Sequence, residues 1–174
     1  VLAALLSHRT HRRFYDDPVA EDTLNLLYAC ALSAPAKSDL QQSAIIRVQD
    51  PSKRAAIAEL MPEMGWIGTC PVFLLFCGDS RRIRRLCQLR EHKFANDHLD
   101  AFLNAAVDTA LVMQNFITAA EAAGLGCCPI SVVRNHIDRI AEITNLPDYV
   151  FPVAGMCLGH PAHPGFTSTR LPPE

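Results

Sequence analysis

Apolar positions along the chain recur with two different periods, and each period predicts an element. Leu2 to Ser7 reads as a short helix and Glu21 to Ser33 as a longer one, with leucines at 24, 26, 27 and 32. Asp16-Asp17-Pro18 supplies the turn between them. Ser43 to Val48 and Val72 to Cys77 read as strands, the second one buried, with Pro51 to Leu60 as a helix between them. Ser80 to Asn96 shows no clear period. Asp97 to Ala123 is the clearest helix, about 40 Å long at the standard rise, rich in alanine and ended by Gly124 as a C-cap. Being apolar nearly all round, it needs partners on most of its sides. Val132 to Thr144 reads as an amphipathic helix stopped before Pro147, and Val153 to Leu158 as a last strand. Helices alternate with apolar strands and nothing repeats, so the class is α+β or α/β; pattern alone does not choose.

Bulk properties narrow the function. The longest apolar stretch, Ala101 to Ala123, is interrupted by Asn104, Asp108, Gln114, Asn115 and Glu121 and belongs inside a protein, not in a membrane. A length of 174 residues suits one domain, 1–174, and 49% hydrophobic against 20% charged residues suits a compact soluble globule. A net charge of −2 gives no general attraction for nucleic acid. The local exception, Arg81-Arg82-Ile83-Arg84-Arg85, reads as a solvated helix face, with a nucleotide-phosphate or partner contact as the alternative. Seven cysteines form no C-x-x-C pair and sit mostly in apolar runs, as buried thiols of a reducing cytoplasm do. His92 and His98 are six apart, and His160 and His163 are three apart but beside Pro161 and Pro164, so neither is a helical ligand pair and no metal is expected. No secretory signal is visible, and the chain opens on Val1, as a trimmed sequence would.

The chemistry concentrates at the N-terminus. Ser7-His8-Arg9-Thr10-His11-Arg12-Arg13-Phe14 holds three arginines, two histidines and two hydroxyls with no carboxylate. Such a run suits a phosphate, because guanidinium forks take its oxygens two at a time and a hydroxyl adds a neutral donor; the plainer reading is a solvated basic turn. A second segment, Ser33-Ala34-Pro35-Ala36-Lys37-Ser38-Asp39-Leu40-Gln41-Gln42, is a loop of small and amide-bearing residues that lets a flat ligand approach closely. Neither a nucleophile elbow nor a P-loop is present, and Gly124-Leu125-Gly126 lacks the third glycine of a dinucleotide turn. An enzyme without an acid, base or nucleophile motif points to a cofactor.

In these segments the chain resembles the FMN-dependent nitroreductase superfamily. Arg9-Thr10-His11-Arg12-Arg13-Phe14 resembles its first motif and Ala34-Pro35-Ala36-Lys37-Ser38-Asp39-Leu40-Gln41 its second. Ala106-Val107-Asp108-Thr109-Ala110 with Gln114-Asn115 resembles its central helix, Ala123-Gly124-Leu125-Gly126 the turn leading to the flavin, and Gly159-His160-Pro161 with Arg170-Leu171-Pro172 its closing motif. Order and spacing resemble the group A branch of oxygen-insensitive nitroreductases and NADPH flavin reductases, from about Leu5 to Pro172.

The resemblance implies an α+β three-layer sandwich with a mainly antiparallel central sheet, built as an obligate homodimer with the central helix at the interface. Each FMN would lie in a groove lined by both chains. It implies that His8, Arg9 and Thr10 hold the FMN phosphate with Arg170, and that Arg12 lies at the N1 and O2 edge of the ring. An ion pair with Asp16 or Asp17 is the alternative for Arg12. Ala36, Lys37, Ser38, Asp39 and Gln41 fall where the family binds ribityl and ring atoms from the partner subunit; Gln41 could equally satisfy a strand edge. Ile130, Ser131 and Val132 fall where backbone N–H groups meet flavin N5 and O4, or Ser131 is an ordinary helix N-cap.

The chain departs from the family pattern in several places. Thr10 stands for serine, Asp39 for asparagine, Ser131 and Val132 for glycines, and Ser168 for a lysine; the sequence stops at Glu174, before the group A C-terminal extension. The implied activity is an FMN-dependent NAD(P)H oxidoreductase. It would take hydride from NADPH or NADH and pass two electrons, by a ping-pong mechanism, to nitroaromatics, quinones or free flavin. A non-catalytic flavin-binding or regulatory module on the same fold is the alternative, and flavin N5, not a side chain, would carry the hydride.

Overall fold

The computed structural model describes residues 2–172. Helices are α1 (Leu2–Leu6), α2 (Glu21–Leu32), α3 (Pro51–Glu59), α4 (Trp66–Thr69), α5 (Arg81–Leu89), α6 (Leu99–Ala122) and α7 (Ile137–Thr144). Strands β1 (Ser43–Arg47), β2 (Val72–Asp79), β3 (Gly126–Ile130) and β4 (Val150–Gly159) form one antiparallel sheet in the order β1-β2-β4-β3.

The period of two along β2 explains the layers. Val72, Leu74 and Phe76 point into one apolar cluster, with Leu24 and Leu27 of α2 and Val112, Phe116 and Ala120 of α6. Phe73, Leu75 and Cys77 point into the other, with Ile57 of α3, Ile67 of α4 and Ile140 of α7. Both sheet faces are therefore covered, which is why β2 reads as an unbroken apolar run. The result is an α+β sandwich with helices on both sides of an antiparallel sheet.

β3 tolerates Pro129 for a geometric reason. The Cys127 carbonyl accepts from the His11 N–H at 2.9 Å, so it points away from β4. Pro129, two residues on, faces the same way, and its missing N–H leaves no gap in the ladder to β4.

The structure corrects several expected elements. The helix read over Val132 to Thr144 is a 3-10 turn at Ser131–His136 followed by α7. Ile130 flanks that turn and Ser131 makes no capping bond, so Ser131 is not its N-cap. The last strand is longer at both ends than Val153 to Leu158. The region without a clear period contains α5, none of whose side chains is buried. It is held instead by Arg84, whose guanidinium lies 4.5 Å from the Phe94 ring and 4.1 Å from the Tyr149 ring and whose Nη2 is 2.6 Å from Asp97 Oδ1.

α6 ends as expected. Gly124 has φ +78, Leu125 N–H donates to the Ala120 carbonyl and Gly124 N–H to that of Glu121, a Schellman closure. Along its N-terminal half Leu99, Phe102, Leu103, Val107 and Leu111 are exposed, as are Leu26 and Leu32 of α2. Among the described residues no helix is long and apolar enough to cross a membrane.

Candidate active site

The basic N-terminal segment is laid along the free edge of β3. Thr10 bridges Cys127, and on the far side Tyr15 N–H donates to the His160 carbonyl (2.9 Å) and Ala162 N–H to that of Arg13 (3.0 Å). Gly126 is required for this approach, since a Cβ there would stand 2.9 Å from the His11 side chain.

His8 Nδ1 lies 2.6 Å from Glu121 Oε1 at the end of α6. Arg9 donates from Nη1 to the Pro164 carbonyl at 3.1 Å and from Nε to that of Ser7 at 3.1 Å. Arg170 reaches back from the other end of the chain, its Nη2 donating to the His8 carbonyl at 3.1 Å and its Nη1 to Ser168. The two ends of the polypeptide thus converge on one spot.

Two adjoining clefts open there. One, of about 510 Å³, is lined by Arg9, His11, Tyr15, Glu121 and His163 among others. The second, of about 460 Å³, is lined by Arg12, Phe14, Trp66 and Thr69, and shares Ala162 and His163 with the first. The Arg12 guanidinium carbon sits 5.9 Å from the Trp66 ring centroid, and among the described residues it makes no ion pair, with Asp16, Asp17 or any other carboxylate. Glu121, already against His8, is the one carboxylate lining either cleft. Arg9 and Arg12 therefore face the clefts without a carboxylate partner among the described residues, which suits a phosphorylated, electron-rich ligand such as FMN.

Cys127 and Cys128, the thiols beside the basic segment, offer no competing nucleophile. Burial pushes the Cys127 thiol well up, and burial raises Cys128 also, with Arg12 pulling it the other way. Among the described residues no cluster of His, Cys, Asp or Glu has the arrangement of a metal site.

The second predicted segment lies elsewhere. Lys37–Asp39 forms one 3-10 turn, and Ser38 (φ 52), Asp39 (φ 55) and Gln41 (φ 50) all hold left-handed backbone, a cost on the order of 1–3 kcal/mol each without glycine. A small cleft of about 150 Å³ is lined by Ala36, Gln41, Arg82 and Asp108, among others. Asp108 and Glu121 are thirteen residues apart on α6, hence about 20 Å. One chain by itself keeps the loop and the basic segment apart. Ile130 is buried, Val132 half-buried and Ser131 exposed at the end of β3, and they border none of these clefts.

A profile described as the Nitroreductase family matches residues 5–160. The chain belongs to that family. It is 38% identical to an FMN reductase [NAD(P)H] of Bacillus subtilis over all of its own length and 71% of the relative's. It is 36% identical to an oxygen-insensitive NADPH nitroreductase of Salmonella typhimurium over 98% of its length and 69% of the relative's. Among solved structures it superposes on the hypothetical oxidoreductase YcnD of Bacillus subtilis with a TM-score of 0.94 and 37% identity, covering 98% of this chain and 70% of that one.

Within this nitroreductase fold, four contributors escaped the sequence reading: Glu121, Trp66, Asp108 and Arg82. Asp108 gave the best signal, a lone carboxylate inside an apolar helix, a placement that demands donors nearby. Arg82 stood out only as part of the basic run at 81–85, read as a solvated face, and Trp66 and Glu121 gave no signal, because their neighbours arrive from distant parts of the chain.

Proposed function

We infer that this chain is an FMN-dependent NAD(P)H oxidoreductase that passes two electrons, in ping-pong turnover, to nitroaromatics, quinones or free flavin. The observation that carries the reading is that Arg170 reaches back to the His8 carbonyl, next in the chain to Arg9, whose cleft has Glu121, already against His8, as its one carboxylate. When bound, FMN supplies the two-electron chemistry, accepting hydride from NADPH or NADH and yielding electrons to a planar acceptor.

The side chains supply grip and charge. Arg9 and Arg170 would exchange their carbonyl partners for the phosphate, with His8 and the Thr10 hydroxyl as further donors. Arg12, held over Trp66 and free of a carboxylate, would set a fixed positive charge at the N1 and O2 edge of the ring. Ile130, Ser131 and Val132 would face the N5 and O4 edge with their backbone. Ala36, Lys37, Ser38, Asp39 and Gln41 would meet the cofactor of a partner protomer.

We propose residues 1–174 as one FMN-binding unit that works as a homodimer. Supporting this are the 20 Å gap between the two halves, an order-of-magnitude length along α6, and the exposed Leu99, Leu103, Val107 and Leu111 at four-residue spacing. A cytoplasmic location, without nucleic-acid or membrane partners, is supported by seven cysteines that all remain free thiols and by the net charge of −2.

The lone tryptophan, Trp66, gives a direct test. Titrating FMN into the apoprotein should quench its fluorescence to saturation, and NADPH or NADH should bleach the bound flavin under anaerobic conditions. A protein that neither carries FMN nor takes it up overturns the reading.

A further inference from the structure

The 36–41 loop does not hold its shape by itself. Its left-handed residues Ser38, Asp39 and Gln41 lie between two backbone anchors, and both anchors end on one side chain. Asp108, only 2% exposed, accepts from the Lys37 N–H at 3.0 Å through Oδ1 and from the Gln42 N–H at 3.1 Å through Oδ2. Its own position is set by the next residue. The Thr109 hydroxyl lies 3.0 Å from the Cys77 carbonyl of β2 and 2.7 Å from the Ala105 carbonyl, fixing that turn of α6 on the sheet.

A second support comes from outside the loop. Arg82 donates to the Gln41 carbonyl at 2.7 Å and to the Ser43 carbonyl at 3.2 Å, and is steadied by Asp79 Oδ2 at 3.3 Å. A carboxylate on the N–H groups and a guanidinium on the carbonyls together hold the strained conformation from opposite ends of its hydrogen-bonding capacity.

We propose that Asp108, aided by Arg82, is a positioning residue that presents the 36–41 loop to the FMN held by the basic segment of a second copy of this chain. Asp108 touches neither cofactor nor substrate; it acts through the loop. The inference rests on the two-chain FMN reading above.

The test compares full-length wild type with Asp108→Asn, which keeps the shape but turns an amide N–H toward a backbone N–H. FMN should bind at least tenfold more weakly to the variant, with circular dichroism and dimer mass unchanged. Coexpressing Asp108→Asn with Arg9→Ala chains under two affinity tags then asks where the loop acts. The isolated heterodimer should regain near wild-type FMN affinity at one site in two, since one site gathers both intact halves and the other both defects. A merely structural role gives no such recovery.

Wild-type affinity in Asp108→Asn overturns the proposal, as does a heterodimer that binds no better than its parents. Should Asp108→Asn fail to fold, Arg82→Met replaces it, with weakening of about threefold or more expected and the same recovery in the heterodimer; no weakening overturns the proposal. If wild type itself takes no FMN, the functional reading falls and the inference with it, an outcome distinct from the others.

Discussion

Asp108 and Glu121 stand on the same helix, thirteen residues apart, and each secures a different segment of the chain: Asp108 the 36–41 loop, Glu121 the basic segment through His8. A rigid rod of that length holds the two segments apart within one chain, and across the twofold axis of the proposed homodimer it would bring unlike segments together.

The exposed stripe of α6 should therefore control both assembly and cofactor. Leu103→Glu places a charge on a surface that is 54% exposed in the single chain, so the isolated fold tolerates it. A central interface position costs about 2 kcal/mol or more when disrupted. Sedimentation should show a monomer with retained secondary structure, and FMN affinity should fall in parallel. A variant that stays dimeric and keeps its FMN argues against α6 as the interface.

The proposed phosphate grip of Arg9 and Arg170 should separate two ligands that share a ring. Each charged hydrogen bond is worth about 1.5–3 kcal/mol, so Arg9→Ala or Arg170→Ala should weaken FMN by roughly tenfold to a hundredfold. Riboflavin, lacking the phosphate, should bind wild type and variants alike. Calorimetric titration of both ligands decides, and equal losses for both would place these arginines elsewhere.

Gly126→Ala should displace the basic segment from the outside of the sheet. Its Cβ would meet His11 at 2.9 Å, with the chain pinned on either side at Thr10 and Phe14. Overpacking of this kind costs about 1–3 kcal/mol. The thermal midpoint should drop, and FMN should bind more weakly than to wild type at a temperature where both are folded.

Acid should destabilise the fold through carboxyls that sit outside the site. The Ser52 hydroxyl, with the Lys53 and Ser52 N–H groups, holds Asp50 below its ordinary range; Arg84 does the same for Asp97, and Asn96 with Asn104 for Asp100. A folded value below the unfolded one stabilises above about pH 4, the ordinary aspartate value, and that contribution is lost as pH falls through the depressed value. Urea midpoints measured from pH 7 to pH 2 should fall in this acid window, and Asp50→Asn or Asp97→Asn should flatten the fall.

Thiol reactivity should follow burial. Cys77 is pushed up to about 12 by burial and by the nearby Asp79 charge, and Cys70, Cys127, Cys128 and Cys157 are buried as well. A thiol-specific reagent should label Cys30 and Cys87 in the native protein and the other five only on unfolding.

Much of the fold was legible in residue order. The strands at Ser43 and Val72, the helix at Glu21 and the long helix closed by Gly124 follow from local period and turn chemistry, which act over a few residues. α5 was not legible, because its hold on the fold is Arg84 stacked between two rings from other segments, not an apolar face. The turn at Ser131–His136 was hidden because its apolar spacing imitates a helix.

The sequence by itself determined where charge and hydroxyls cluster, where the chain must turn, and that the strand from Val72 to Cys77 would be buried. Only the tertiary structure decided that Arg170 bonds the His8 carbonyl, that Asp108 clamps a strained loop, and that the loop and the basic segment lie about 20 Å apart along α6. Composition and period report short-range preferences. The partners of a charged or polar side chain are set by segments that become neighbours only when the chain closes on itself.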